Sequence, residues 1–104
     1  MNRPSKTLNV LEKIRECIDL CRYYDTRHAI ARKALRNIAL PEVLYVLKKG
    51  YHEKKKDEFK PEHNDWTYAI RGKTIDGRDI RIAVAFDENN MLIITVIEIK
   101  GSRG

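Results

Sequence analysis

The spacing of the hydrophobic positions in this 104-residue chain changes near its middle. In the first half, apolar residues recur at steps of three and four with charged residues between them, which is the pattern of amphipathic helices. From about residue 51 onward, apolar and polar residues alternate, as in strands that bury one face. The sequence therefore predicts helices followed by strands, packed as two layers around one core.

Three helices are predicted before residue 51. The first runs from about Thr7 to Cys21. The second runs from about Arg27 to Arg36, because Asp25-Thr26 supplies an N-cap and Asn37 tolerates the left-handed conformation that ends a helix. The third begins near Pro41, which suits a first helical turn, and ends at Gly50. The residues expected to face the core are Ala31, Ala34, Leu35 and Ile38 in the second helix, and Val43, Leu44, Val46 and Leu47 in the third.

The second half predicts a sheet. Residues 51–56 are predicted as a charged edge strand and residues 54–64 as a polar loop. Three strands follow, beginning near Trp66, Ile80 and Met91, and turn sequences at 76–77 and 87–90 join them as hairpins. Residues expected to face the helices are Trp66, Tyr68, Ile70, Ile80, Ile82 and Val84, and those expected on the opposite face are Thr67, Ala69, Arg71, Arg81 and Ala83. The predicted fold is α+β, with N-terminal helices packed on one face of a small antiparallel β-sheet meander.

The charge of the chain is basic and unevenly distributed. There are 21 Lys and Arg against 15 Asp and Glu, and the formal net charge is +6. The first fifty residues carry 11 of these cations and only 5 of the anions, so they hold the whole excess. A basic excess favours an anionic partner, of which nucleic acid is the commonest. The alternative is that the Lys and Arg residues only solvate exposed helical faces.

Membrane insertion and export are not predicted. The longest apolar run, Met91 to Ile94, is far shorter than the roughly 20 residues that span a bilayer. The first residues lead into a charged segment that lacks the apolar stretch of a signal peptide. We therefore expect a cytoplasmic protein without a membrane partner.

Metal and cofactor motifs are not found in the sequence. Cys17, Cys21 and His28 do not match the usual zinc spacings, and no Gly-rich phosphate loop occurs. We assign no metal and no cofactor. Any enzymatic chemistry of this chain would then use only acids, bases and cations.

The predicted second helix carries the most informative cluster of residues. His28, Arg32 and Arg36 are spaced four apart, so they form one ridge, with Arg27 and Lys33 beside it. Arginine guanidinium groups match the geometry of phosphates, and a neutral imidazole can accept a proton as a general base must. The alternative is that His28 only hydrogen-bonds near the helix start and the arginines are solvated.

A second cluster lies on the predicted strands. Arg71, Lys73 and Arg81 occur near the aromatic residues Trp66 and Tyr68. Basic and aromatic residues together suit RNA, because phosphates need positive charge and unstacked bases need flat partners. The alternative is that both aromatic residues belong to the core. Arg81 stands among apolar neighbours, so we expect it to reach either solvent or a site.

Residues of these two clusters belong to a longer pattern in the chain. Its features are Tyr24-x-Thr26-x-His28-Ala29, Arg32, Arg36, Ile38, Glu42-Val43, Tyr68, Gly77-Arg78 and Thr95. With these features the chain resembles a family of domains of unknown function whose members are similar to small ribonuclease toxins of the RelE and MqsR type. Asn37 stands where the family usually has Gly. The length of the chain predicts one domain over residues 1–104, and its last residues, 100–104, are expected to form a loose tail. The resemblance covers a RelE-like core at 23–99 and leaves residues 1–22 as an added N-terminal helix.

The activity that the resemblance implies is that of a toxin-like endoribonuclease of a toxin-antitoxin system. Cleavage would need no metal, and the ribose 2′-hydroxyl would attack the adjacent phosphate. His28 would be the base or acid, Arg32 and Arg81 would stabilise the phosphorane, and Tyr68 would stack a base or donate a proton. The residues expected to bind RNA are Arg27, Lys33, Arg36, Arg71 and Lys73.

The implied partners are RNA, as mRNA free or on the ribosome, and an antitoxin protein. Two other functions remain open. One is a non-catalytic module that binds RNA or an acidic protein through the His28, Arg32 and Arg36 ridge. The other is a structural protein whose first helix packs on another chain.

Overall fold

The computed structural model describes residues 3–100, which form three helices and six strands. The helices are α1 (Val10–Asp19), α2 (Arg27–Arg36) and α3 (Leu40–Lys49). The strands are β1 (Tyr23–Asp25), β2 (Tyr51–His52), β3 (Glu58–Lys60), β4 (Asp65–Lys73), β5 (Asp79–Asp87) and β6 (Asn90–Glu98). Two short 3-10 turns flank β3, at Lys54–Lys56 and Pro61–His63. None of the helices in this range is long and apolar enough to cross a membrane.

The sheet is mixed, whereas the sequence predicted an antiparallel meander. Its strand order is β1-β6-β5-β4-β2, and β3 pairs with the first residues of β4. β1 pairs in parallel with β6, with Tyr24 beside Leu92. Because β1 lies between α1 and α2, the helices do not all precede the strands. A strand of three residues is too short to show alternation, which is why the sequence did not reveal it.

The core lies between the three helices and one face of the sheet. The strand residues Tyr68, Ile70, Ile80, Ile82 and Val84 are buried there as predicted, and Trp66 is partly buried against them. The predicted core positions of α3 are also confirmed, with Leu44 only partly buried. A bulge displaces the β5–β6 register after Ala83, yet the apolar face stays on the helical side. The predicted hairpins are confirmed, and β6 lies in the interior of the sheet between β1 and β5.

The segment before α1, residues 3–9, lies against β4, and we call it the N-terminal strap. The helix begins at Val10, after Asn9 in a left-handed conformation with φ 53°, and not at Thr7 as predicted. The indole Nε1 of Trp66 donates to the carbonyl of Pro4 at 2.9 Å, and the N–H of Thr7 donates to the hydroxyl of Tyr68 at 2.8 Å. These bonds hold the strap against β4.

The bounds of α2 agree with the prediction, but the face that it buries does not. Thr26 caps the helix start and Asn37 ends it in a left-handed conformation. The hydroxyl of Thr26 also donates to the carbonyl of Ile93 at 2.6 Å, which fixes the helix against β6. The resulting rotation buries Ala29 and Lys33. Four positions were predicted to face the core. Ala31, Ala34 and Leu35 are exposed, and only Ile38 is buried.

The region between α3 and β4 contains more structure than the predicted loop. The predicted edge strand 51–56 is reduced to β2, and β3 forms inside the stretch 54–64 that was predicted as a loop. Phe59 of β3 packs edge-on against Trp66 at a centroid distance of 5.6 Å. This contact anchors a segment whose other residues are mostly polar.

Candidate functional site

The exposed surface of α2 carries three neighbouring basic residues. Arg27, His28 and Arg32 are on this surface, and we call them the basic face of α2. The Nε of Arg32 donates to Nε2 of His28 at 3.4 Å, so the two side chains lie together on the ridge that the spacing predicted. Within residues 3–100, neither arginine of this face forms an ion pair. These side chains are therefore available to an anion in solution.

Of the two other basic residues of α2, Lys33 is engaged through its side chain and Arg36 only through its backbone. Lys33, predicted to bind RNA, is buried and forms an ion pair with Asp25 of β1. Lys33 is therefore a core residue, because its ammonium group offsets a carboxylate that the sheet places under the helix. Arg36, also predicted to bind RNA, is partly buried; its backbone carbonyl accepts a hydrogen bond from Arg78, and its guanidinium forms no ion pair within residues 3–100. Arg78 also donates to the carbonyl of Asn37 at 2.9 Å and pairs with Glu98 at 3.1 Å.

Tyr68 does not lie at a surface where a base could stack on it. The residue is 2% exposed, and its hydroxyl accepts the hydrogen bond from Thr7. Its ring packs against Phe86 and, edge-on, against His52 at a centroid distance of 5.9 Å. The prediction that Tyr68 serves catalysis is not supported by this position, since alternation on β4 turns the side chain toward the helices.

Arg71 and Arg81 lie on the opposite sheet face, in an ion-pair network with two carboxylates. Arg81 donates from Nε to Oε1 of Glu53 at 2.7 Å. Arg71 donates to Oε2 of Glu53 at 3.2 Å and to Oδ2 of Asp79 at 2.7 Å. The hydrogen bond from Arg81 lowers the pKa of Glu53, and the one from Arg71 lowers the pKa of Asp79. The positive charge of this pair is thus offset locally, while Lys73 at the end of β4 is exposed.

The predicted catalytic residues therefore do not form one cluster. His28 and Arg32 lie on the outer surface of α2, Tyr68 is in the core, and Arg81 projects from the sheet face that the helices do not cover. The structure keeps only the first two side by side.

The sequence did not indicate a buried His–Asp pair, which lies at the sheet edge formed by β2. The side chain of Asp57 is fully buried, and its Oδ2 lies 2.8 Å from Nε2 of His52. The same carboxylate accepts from the backbone N–H of Ala69 at 2.9 Å and from Nζ of Lys6 at 3.0 Å. In the sequence, Asp57 directly follows three lysines, Lys54 to Lys56. Lys6 and Ala69 are distant from it along the chain, so no local motif marks the pair.

His52 also lines an open cleft of about 580 Å³ between the N-terminal strap, α1 and β2. Among its other charged lining residues, three are basic and one is acidic: Lys6, Arg15, Lys54 and Glu12. Within residues 3–100, no group of three or more His, Cys, Asp or Glu side chains is placed to hold a metal ion. Cys17 is buried and Cys21 is exposed, and neither forms a disulfide.

Comparison with known proteins identifies a family for most of these elements. Residues 26–98 match the family described as "Domain of unknown function (DUF4258)". Neither the curated proteins nor the solved structures gave a match. The matched range starts at the N-cap of α2 and ends with β6, so it contains the basic face of α2 and the His52–Asp57 pair and leaves out α1 and β1. The chain therefore belongs to the DUF4258 family of domains of unknown function.

Proposed function

We propose that this domain binds RNA through the basic face of α2. The observation that carries the proposal is that His28 and Arg32 lie side by side at the surface with Arg27 exposed next to them, and that neither arginine has a carboxylate partner among residues 3–100. Guanidinium groups bind phosphates through paired N–H donors, and a row of them follows the backbone of a strand. The first half of the chain, to which α2 belongs, also holds the whole excess positive charge.

Other basic residues contribute less free charge. Lys33 is paired with Asp25, and Arg71 and Arg81 share Glu53. An arginine that already donates to a carboxylate would have to exchange that partner for a phosphate, at a cost in free energy. The proposed interface is therefore on the helix and not on the open sheet face.

A second candidate function uses the same helix to bind an acidic protein. It is favoured by Ile30 and Leu35, which are 52% and 75% exposed beside the basic face. Exposed apolar side chains next to charged ones are typical of protein interfaces.

The experiment that tests RNA binding is a titration of labelled single-stranded RNA with the full chain, in EDTA, at several salt concentrations. We expect the double variant Arg27→Ala/Arg32→Ala to bind at least tenfold more weakly. The salt slope should fall by about 0.7 for each phosphate that the variant no longer neutralises. The variant Lys55→Ala/Lys56→Ala removes the same charge from an exposed turn and is the matched control.

Two outcomes would contradict the proposal. One is no salt-dependent RNA binding by the natural chain, which would favour the acidic-protein partner. The other is an equal loss of affinity in both double variants, which would mean that only net charge matters. The same reactions also test the cleavage expected from the resemblance to RelE and MqsR toxins, since cleavage that His28→Ala abolishes would place the catalytic base on α2.

A further inference from the structure

The N-terminal strap is attached to β4 by polar contacts and not through the core. The indole of Trp66 and the hydroxyl of Tyr68 bind its backbone, at Pro4 and at Thr7. Residues 3–9 contribute no side chain to the hydrophobic core. Releasing the strap therefore draws no apolar side chain out of the protein interior, which keeps the free-energy cost of release low.

The side chains of the strap fit a surface formed by two aromatic rings and a carboxylate. The guanidinium of Arg3 lies 5.0 Å from the ring centroid of Phe59 and 5.7 Å from that of Trp66. The ammonium of Lys6 lies 4.6 Å from the ring centroid of Trp66 and 3.0 Å from the buried carboxylate of Asp57. Cations are attracted both to the faces of aromatic rings and to carboxylates. This surface, which we call the strap site, recognises a basic segment, whether the same chain or another copy supplies it.

The strap joins α1 through a hinge, Leu8 and Asn9, that is not stabilised by packing. Leu8 is 85% exposed, and Asn9 is exposed as well. Asn9 has a left-handed backbone, with φ 53° and ψ 55°, and its side chain does not cap the helix. This conformation is unfavourable for residues with a Cβ, although Asn tolerates it better than most. The turn at the hinge is thus maintained by the bonds of the strap to its site.

The sequence favours a straight hinge. Apolar residues at steps of three and four predict a helix from about Thr7, with Leu8 in step with Leu11. In that conformation Thr7 is the N-cap, and its hydroxyl can accept from N–H groups of the first turn, which the side chain of Asn9 leaves uncapped. The N–H of an N-cap residue is not used by its helix, so Thr7 can still donate to Tyr68. The chain then no longer turns at Asn9 toward its own strap site, so the site of another copy takes the strap.

We propose that two copies of this chain exchange their N-terminal straps. Residues 3–7 of each copy occupy the strap site of the other, with both hinges straight. The dimer repeats in trans the contacts that the strap makes within one chain, and it adds two helix extensions. The cleft beside His52 is then built from both copies, because Lys6 comes from one copy and His52 and Lys54 come from the other.

Strap exchange is independent of the proposed RNA binding. α2 packs on β6, whereas the strap lies against β4, and β5 separates these two strands. Either property can therefore be present without the other, and the two are tested separately.

The test compares Asn9→Ala with Asn9→Gly in the full chain, by sedimentation equilibrium at several protein concentrations. Ala favours the helix and disfavours the left-handed turn, whereas Gly has the opposite preferences. We expect the natural chain to form dimers whose fraction rises with concentration. Asn9→Ala should lower the dissociation constant roughly 100-fold and Asn9→Gly should raise it roughly tenfold, because each dimer contains two hinges. Both variants replace an exposed side chain and leave the residues of the strap site unchanged.

Nuclear magnetic resonance of mixed chains shows which copy supplies the strap. Isotope-labelled and unlabelled chains are refolded together from urea, and contacts between differently labelled chains are recorded. Strap exchange predicts contacts between the Trp66 ring of labelled chains and Pro4 of unlabelled chains, since these groups are hydrogen-bonded.

Three results would overturn the proposal. The first is a natural chain that stays monomeric at the concentration of the magnetic resonance sample. The second is equal dissociation constants for the two Asn9 variants, which would mean that the hinge does not control association. The third is a dimer in which Trp66 contacts Pro4 only within one chain, which would place the interface on another surface.

Discussion

Arg71 and Arg81 lie directly opposite each other on β4 and β5, and the carboxylate of Glu53 accepts hydrogen bonds from both. Like charges at opposed positions of a sheet repel each other and destabilise the pairing. Glu53, which follows β2, converts this repulsion into attraction. The network therefore fastens the edge strand β2 to the sheet centre, and this explains why two arginines are tolerated on neighbouring strands.

Glu53→Gln should destabilise the domain by about 1 kcal/mol at pH 7, because it removes the charge between two partly exposed guanidinium groups. Urea denaturation of both proteins measures the difference. Glu62→Gln, at an exposed position, is the control and should change the free energy of unfolding by less than about 0.5 kcal/mol.

The same variant should alter the acid sensitivity of the fold. The hydrogen bond from Arg81 lowers the pKa of Glu53 below its ordinary value of 4.5. The stabilisation is then present in full above pH 4.5 and is lost as the pH falls through the lower pKa of the folded state. Glu53→Gln should therefore lose less stability on acidification. Identical pH profiles would show that Glu53 is not coupled to the arginines.

Lys33→Met should be among the most destabilising changes on α2, although lysine looks like a surface residue in the sequence. It leaves the carboxylate of Asp25 without its cation, and the buried Oδ1 of that carboxylate already has no hydrogen-bond partner among the described residues. Breaking a buried pair from one side costs about 3 kcal/mol or more. Asp25→Asn/Lys33→Met should recover part of this loss. Equal stability of Lys33→Met and Lys49→Met, an exposed counterpart, would refute the prediction.

Thr26→Ala should loosen the start of α2 and its attachment to β6. The hydroxyl accepts from the N–H of Ala29 at 3.3 Å and donates to the carbonyl of Ile93 at 2.6 Å. Removing the cap costs about 1–2 kcal/mol. Hydrogen exchange should become faster at the first turn of α2, and Thr26→Ser should restore most of the protection.

Gly50→Ala should be poorly tolerated because of space and not because of backbone conformation. A Cβ at this position would lie 2.4 Å from the carbonyl oxygen of Arg71 and 2.7 Å from that of Val46. Both neighbours are backbone atoms, so α3 and β4 would have to separate, at a cost of about 1–3 kcal/mol. Gly77→Ala offers a contrast, since Gly77 has φ +87° and no atom within 4 Å of the added Cβ. For Gly77→Ala we expect the loss of folding stability to come only from the positive φ of the turn.

The sequence predicted the elements whose signals are local. The ends of α2 followed from Thr26 and Asn37, and the buried face of β4 and β5 followed from alternation. The buried face of α2 could not be predicted, because Lys33 faces the core only through its pairing with Asp25 on a strand of three residues. The His52–Asp57 pair was missed although its members are only five residues apart, because Asp57 is buried beneath contacts from Lys6, 51 residues away, and from the backbone of Ala69.

The parallel pairing of β1 with β6 has a consequence for the biosynthesis of the domain. β1 is completed within the first 25 residues of the chain, but its pairing partner begins at Asn90. During translation, β1 must wait until almost the whole chain has been made, and α2 cannot attach to Ile93 before then. Pairing between such distant segments slows folding. A chain that stops before Asn90 would leave β1 and the underside of α2 exposed to proteases.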